Sequence, residues 1–245
     1  MSLYDYDARK KHWISPRLAL VYYEDLSRIF GENLIKGDFK KVFEGKAVAL
    51  TLLGLHRSTG IHYMMQVPVE VNNSPDIVTM NLIEYVDRPV MMNLQDVEVV
   101  EYGENSEEDI ATFLENRKLS PAAGKAYDEK TIILCHITKS EVRIDHTALH
   151  EAIKKLNPKP WVYLMGSIPG KNNFYRLVRV WPALDSPIEF DAVEEGIKYP
   201  HPDSRKFGLG TAKKIVYKKT NLPHPSPFEV FELDEGKLKD KFGVA

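Results

Sequence analysis

Pro75-Asp76 opens one apolar run, and Asp96-Val97-Glu98 lies on a second β-like run. Acidic side chains on neighbouring strands can hold a hard divalent cation, and such a cation can activate water against a phosphodiester. Side chains on a strand alternate with a period of two. Asp96 and Glu98 therefore share one face, while Val97 and Val99 point into the core. Asp76, at the start of the adjacent strand, approaches them from the side. Three carboxylates brought together at low dielectric repel one another, so the arrangement needs a cation among them or a proton on one. Magnesium, or manganese, is the expected ion, because magnesium takes a few carboxylates plus waters and phosphate oxygens. The plain alternative is a turn at Pro75-Asp76 and a wet strand face at Asp96 and Glu98.

The elements that must position these residues follow in order. Ser15-Pro16 starts a helix that ends at Gly31 or Gly37. A second helix is expected from Asp38 to about Leu55, with Phe39, Val42, Phe43, Ala47 and Leu50 as its apolar stripe and Gly45 as a weak point. Strands are expected over 61–71, 76–85 and 96–102, joined by turn residues short enough for an antiparallel meander. Ser106 and Asp109 have capping-box spacing for the next helix, with Ile110, Phe113 and Leu114 facing inward and an end before Pro121. Thr131–Ile137 is a continuous apolar run, the pattern of a strand buried on both faces. Asp145 caps a helix to Leu156, and a hairpin follows over 161–168 and 174–181.

Beyond Pro182 the texture changes. Prolines recur at 182, 187, 200, 202, 223, 225 and 227, and only 213–219 reads as strand. Residues 183–245 are expected to be a Pro-rich, loop-rich extension packed on the main domain, since their apolar residues are too sparse for a separate core. At 245 residues, the chain can bury a sizeable core in one domain.

A formal net charge of −2 gives no global pull toward nucleic acid or an anionic membrane, so a nucleic-acid reader would need a local basic patch. Lys213, Lys214, Lys218 and Lys219, with Tyr217 among them, form a basic ladder suited to a DNA backbone. The same lysines suit the guarded edge of a sheet. The single cysteine, Cys135, lies in an apolar run, which excludes an internal disulfide and a four-cysteine zinc site. A cytoplasmic, reducing compartment is expected. The longest apolar stretch, 47–55, is too short for a membrane span.

Other constellations carry less. His146 and His150 are spaced four apart on one helix face but lack the zincin order and a placed third ligand. The glycine-rich stretch 207–213 does not match phosphate-loop spacing. His56, Arg57 and His62 flank a helix end, where positive charge is favoured anyway. Trp161 and Trp181 are expected in the core, and Trp13 packs the tail onto the domain or serves an interface.

The order helix, three strands, helix, strand, helix, with Pro75-Asp76 on the second strand and the acids on the third, resembles the PD-(D/E)xK nuclease fold of restriction endonucleases. The resemblance covers roughly residues 16–168 and rests on element order. It implies an α/β fold with a central mixed sheet flanked by helices, a nuclease-like domain over 1–182, and a metal-dependent phosphodiesterase acting on DNA. It implies Asp76, Asp96 and Glu98 as catalytic and metal-binding residues, with glutamate where lysine is usual. The alternative register, Glu98-Val99-Val100, has valine there. Glu44, or secondly Glu32, matches the accessory helix glutamate of many members. A missing lysine removes a preorganised donor worth about 3 kcal/mol to the transition state. That gap leaves open a non-catalytic interaction or structural subunit of a phage or defence system on the same scaffold, and an assembly without chemistry at these carboxylates. A homodimer would suit an enzyme that cuts both strands.

Overall fold

A computed structural model of the chain describes residues 12–30, 40–66, 75–85, 88–120, 127–199, 209–215 and 228–233. Its centre is the apolar run Thr131–Ile137, which forms strand β5. Residues 131–135 are buried, as a strand covered on both faces must be. β5 lies in the middle of a seven-stranded mixed sheet of order β2-β3-β4-β5-β6-β7-β8. The strands are β2 (Tyr63–Gln66), β3 (Ile77–Tyr85), β4 (Arg88–Tyr102), β6 (Trp161–Ser167), β7 (Phe174–Trp181) and β8 (Ile188–Asp191). The expected antiparallel meander is present as β2-β3-β4. β4, β5 and β6 run parallel, and β6, β7 and β8 alternate again.

The parallel steps need crossovers, and helices supply them. Between β4 and β5 runs α3 (Ile110–Leu114), continued by a π-helical turn, Glu115–Leu119. Between β5 and β6 runs α4 (His146–Leu156). Asp109, not Ser106, caps α3, because its Oδ1 accepts from the amides of Ala111 and Thr112. The amide of Ser106 instead closes a turn onto the Gly103 carbonyl. Asp145 caps α4 as expected, accepting from Thr147 and Ala148, and Asn157 ends it in the left-handed region.

The two faces of the sheet are covered by different helices. Face one carries α1 (Pro16–Phe30), α2 (Lys40–Thr59) and α5 (Ala192–Lys198). Leu50 and Leu53 of α2 pack there with Ile77, Val97, Ile132, Leu134 and Phe190. Each such side chain, fully buried, contributes about 1.5–3 kcal/mol. Gly54 lets α2 approach closely: a Cβ there would stand 2.8 Å from a ring carbon of Phe190. Face two carries α3, its π-turn and α4, with Phe113, Leu114, Leu149 and Ile153 against Ile133, Cys135, Val162 and Val178.

The sheet continues past Pro182, since β8 pairs with β7 and α5 leads directly out of it. A separate three-stranded sheet joins β1 (His12–Trp13), β10 (Phe228–Leu233) and β9 (Leu209–Ile215). Trp13 is buried, and Ile14 bridges to Met65 of β2, tying this sheet's first strand to the main one. Lys213 and Lys214 lie on β9, while Lys218 and Lys219 lie outside the described residues. No helix among the described residues is long and apolar enough to cross a membrane.

Candidate active site

β4 places its side chains by strict alternation. Val97 and Val99 join the core of face one, while Val100 and Tyr102 join face two. Asp96 and Glu98 therefore share face two, beneath α3 and its π-turn. The β3–β4 register pairs Ile77 with Val97. One residue further along, Asp76 falls opposite Glu98 on the same face, with about 5 Å between Cβ atoms of such a pair. Asp76 Oδ2 accepts the Val99 amide at 2.9 Å, which fixes the carboxyl at the mouth of the β3–β4 pair.

The two acids on β4 meet different surroundings. Glu98 is 1% exposed, whereas Asp96 lies at the start of the β5 pairing and is exposed. The Asp96 carboxyl is nonetheless held above the usual range by partial desolvation, then by the charges of Asp128 and Glu98.

A buried carboxylate requires compensation. Glu98 receives it from Lys118 of the π-turn, whose Nζ lies 2.7 Å from Oε2 and is itself largely buried. The Tyr127 hydroxyl donates to the same oxygen at 3.4 Å. Burial, with Glu98 and then Asp76 adding, raises the Tyr127 phenol, so it stays protonated and serves as a donor. Lys118 reaches Glu98 because it follows the inward Leu114 by four residues. The π-turn, closed by the Ser120 amide onto the Glu115 carbonyl, brings this stretch over β4. Single π-turns of this kind recur at functional sites.

Asp76, Glu98 and Asp96 thus share one face, and Lys118, Tyr127 and Asp128 join them from outside the sequence motif. Lysine is absent from β4 but is supplied by the crossover helix. No local signal marks it in the sequence, because its partner lies on the strand across the parallel crossover, twenty residues away. Glu44 is 5% exposed on α2, which packs on face one, so the sheet lies between that helix and the Lys118 side. Glu32 lies outside the described residues. Among the described residues, no three His, Cys, Asp or Glu side chains are grouped closely enough to hold a metal.

The remaining candidates have structural partners. His150 Nδ1 bonds the Val180 carbonyl at 2.7 Å, and its ring lies beside Trp181. His146 projects elsewhere, into a cavity described below. Arg57 is paired with the buried Glu195, and His56 and His62 stack near Tyr199. Cys135 is wholly buried, and burial pushes its thiol up, which makes it a core residue rather than a nucleophile.

Comparison with protein-family models, with curated proteins and with solved structures finds no match to this chain.

Proposed function

We propose that the chain is a metal-dependent phosphodiesterase acting on DNA, built on a restriction-endonuclease-like scaffold. The observation that carries the reading is the Asp76–Glu98 cross-strand pair with Lys118 2.7 Å from Glu98. Facing strands present two hard carboxylates, and the neighbouring crossover presents the cation that the strand motif lacks. In this reading Lys118 takes the place of the missing strand lysine and steadies the attacking water and the developing charge. Glu98, rather than Asp96, is the second acid.

Two carboxylates suit magnesium, which keeps several waters and completes its octahedron with phosphate oxygens. Asp76 and Glu98 would hold it, and when bound it would polarise the phosphate and lower the pKa of a water. The chain's own groups do the rest. The Val99 amide fixes Asp76, and Lys118 and Tyr127 orient Glu98.

Burial favours a second reading, a non-catalytic interaction protein on the same scaffold. Glu98 is 1% exposed, Asp76 is 7% exposed, and Lys118 already compensates Glu98. There the cluster serves as a polar pin between helix and sheet.

Manganese titration separates the two. At about a hundred times the Kd, a cation bound only to the native state adds about 2.7 kcal/mol. That raises Tm by roughly 5–10 °C in a chain of this size. Asp76→Asn is expected to abolish the rise, and Lys118→Met to abolish cleavage of plasmid and single-stranded DNA. No shift with either magnesium or manganese, together with intact DNA, would refute the enzyme.

A further inference from the structure

A cavity of about 300 Å³ opens on face two at the carboxyl ends of the parallel strands β5 and β6. It lies well away from the carboxylates: Ile137 on its rim is four residues beyond Ile133, the residue paired with Glu98, about 13 Å along the strand. At this end the β5–α4 connection and the β6–β7 hairpin rise beyond the sheet and leave a concave space between them. Its walls come from three segments: the β5–α4 connection, the start of α4, and the β6–β7 hairpin.

The lining is sharply divided. Leu164 and Val178, both almost fully buried, form an apolar floor. Lys139, Arg143, His146 and Arg176 converge from different walls, against one lining carboxylate, Glu141. Two of these cations are already engaged. Arg176 is paired with Glu189, and Lys139 lends only its stem to the lining, since its Nζ donates to the Ser106 carbonyl at 2.6 Å and lies over the Tyr102 ring, with its charge acting on Glu104. Arg143, exposed on the β5–α4 connection, makes no hydrogen bond or ion pair among the described residues, which leaves its guanidinium open to a ligand in the cavity. Burial and then the Arg176 charge lower His146, with Asp145 opposing. The N-terminus of α4 adds nothing to the case, since Asp145 takes its first free amides.

Cations on several sides of a small cavity match a tetrahedral dianion better than a planar carboxylate, and an apolar floor matches a short carbon body. We infer that this cavity is a binding site for a small organic phosphate, with the phosphate held by Arg143 and Arg176 beside His146 and the carbon body on Leu164 and Val178. The site stands independently of the carboxylate cluster on the same face.

The test uses the full chain and two readouts. In NMR titration with ribose 5-phosphate at fixed ionic strength, the His146 imidazole is expected to shift saturably, and its pKa to rise as the dianion arrives. Ribose is expected to give no shift, and inorganic phosphate a weaker one. Arg143→Gln, at an exposed loop position, should weaken ribose 5-phosphate binding at least tenfold while leaving Tm unchanged. A non-saturating response equal to that of added chloride would overturn the site. So would wild-type affinity in Arg143→Gln. Binding confined to an oligonucleotide lacking terminal phosphates, and lost in Arg143→Gln, would overturn the small-molecule occupant in favour of a polymer backbone. Because the His146 readout is taken on the unaltered protein, misfolding of a variant cannot hide a negative answer.

Discussion

The two faces of the central sheet solve the same covering problem with different chemistry. On face one, α1, α2 and α5 bury an apolar cluster in which Leu53 and Leu134 have no exposed surface. On face two, α4 covers its half with similar apolar side chains, but the π-turn covers the other half with Lys118 set on Glu98. An apolar contact tolerates small errors of position and returns stability in proportion to area. A buried ion pair returns little net stability and demands exact partners, because removing either member strands the other. A chain keeps such a contact where position matters more than stability. The difference between the faces is therefore one of positional demand: face one needs only area, while face two needs Lys118 and Glu98 in register.

The largest expected effect tests this contrast directly. Lys118→Met leaves Glu98 buried without its cation and should cost about 3–5 kcal/mol in urea unfolding. Adding Glu98→Gln should restore most of that loss, since the stranded charge goes with it. Leu134→Ala on face one should cost about 2–5 kcal/mol through cavity formation, and no second substitution at a neighbour should restore it. If the Lys118 loss resists rescue, the two faces are alike in kind and the contrast fails.

The next effect belongs to pH. His136 points to face one, where burial, with a contribution from Lys46 and against Glu101, pushes its pKa down to about 4. Its folded value lies below its unfolded value, so it favours the fold at neutral pH and loses that contribution as pH falls from about 6.5 toward 4. The loss is up to about 3 kcal/mol. His136→Leu should flatten the stability profile across that window, as read by denaturation at successive pH values. The smallest effect is the exposed Arg176–Glu189 pair, whose removal by Glu189→Gln should leave the urea midpoint essentially unchanged, since solvent screens an exposed pair. This last outcome marks the floor against which the Lys118–Glu98 pair is measured.

Much of the scaffold was legible in the chain. β5 announced itself as an unbroken apolar run, Asp145 marked the start of a helix to Leu156, and the meander followed from short turns. Local rules fixed these, and tertiary packing agreed with them. The misreadings have local causes too. Pro89 reads as a turn, yet β4 begins at Arg88, because a proline beside a hairpin end need not donate to the ladder. Density of proline hid β8 and α5, although Asp191 caps α5 in the ordinary way. The run Phe228, Val230 and Phe231 was too short and irregular to read as β10, and β9 starts at Leu209, ahead of the expected 213, while 216–219 lie outside the described residues. At the site, strand periodicity put Asp96 and Glu98 on one face, but it could not say which would be covered. That depends on where the crossover returns, a long-range fact. Lys118 was invisible for the same reason: its partner is twenty residues away in sequence and meets it only after the parallel step is made.

The π-turn over 115–119 has a consequence for how this fold can vary. A π-turn is an α-helix carrying one residue more than its ladder needs. Losing a single residue there, Asn116 for example, would let the segment relax to ordinary helical winding and rotate everything after it by about 100°. The sheet would be untouched, yet Lys118 would swing away from Glu98. A one-residue deletion within a helix, rather than in a loop, would thus uncouple the Lys118–Glu98 pair while leaving every strand in place.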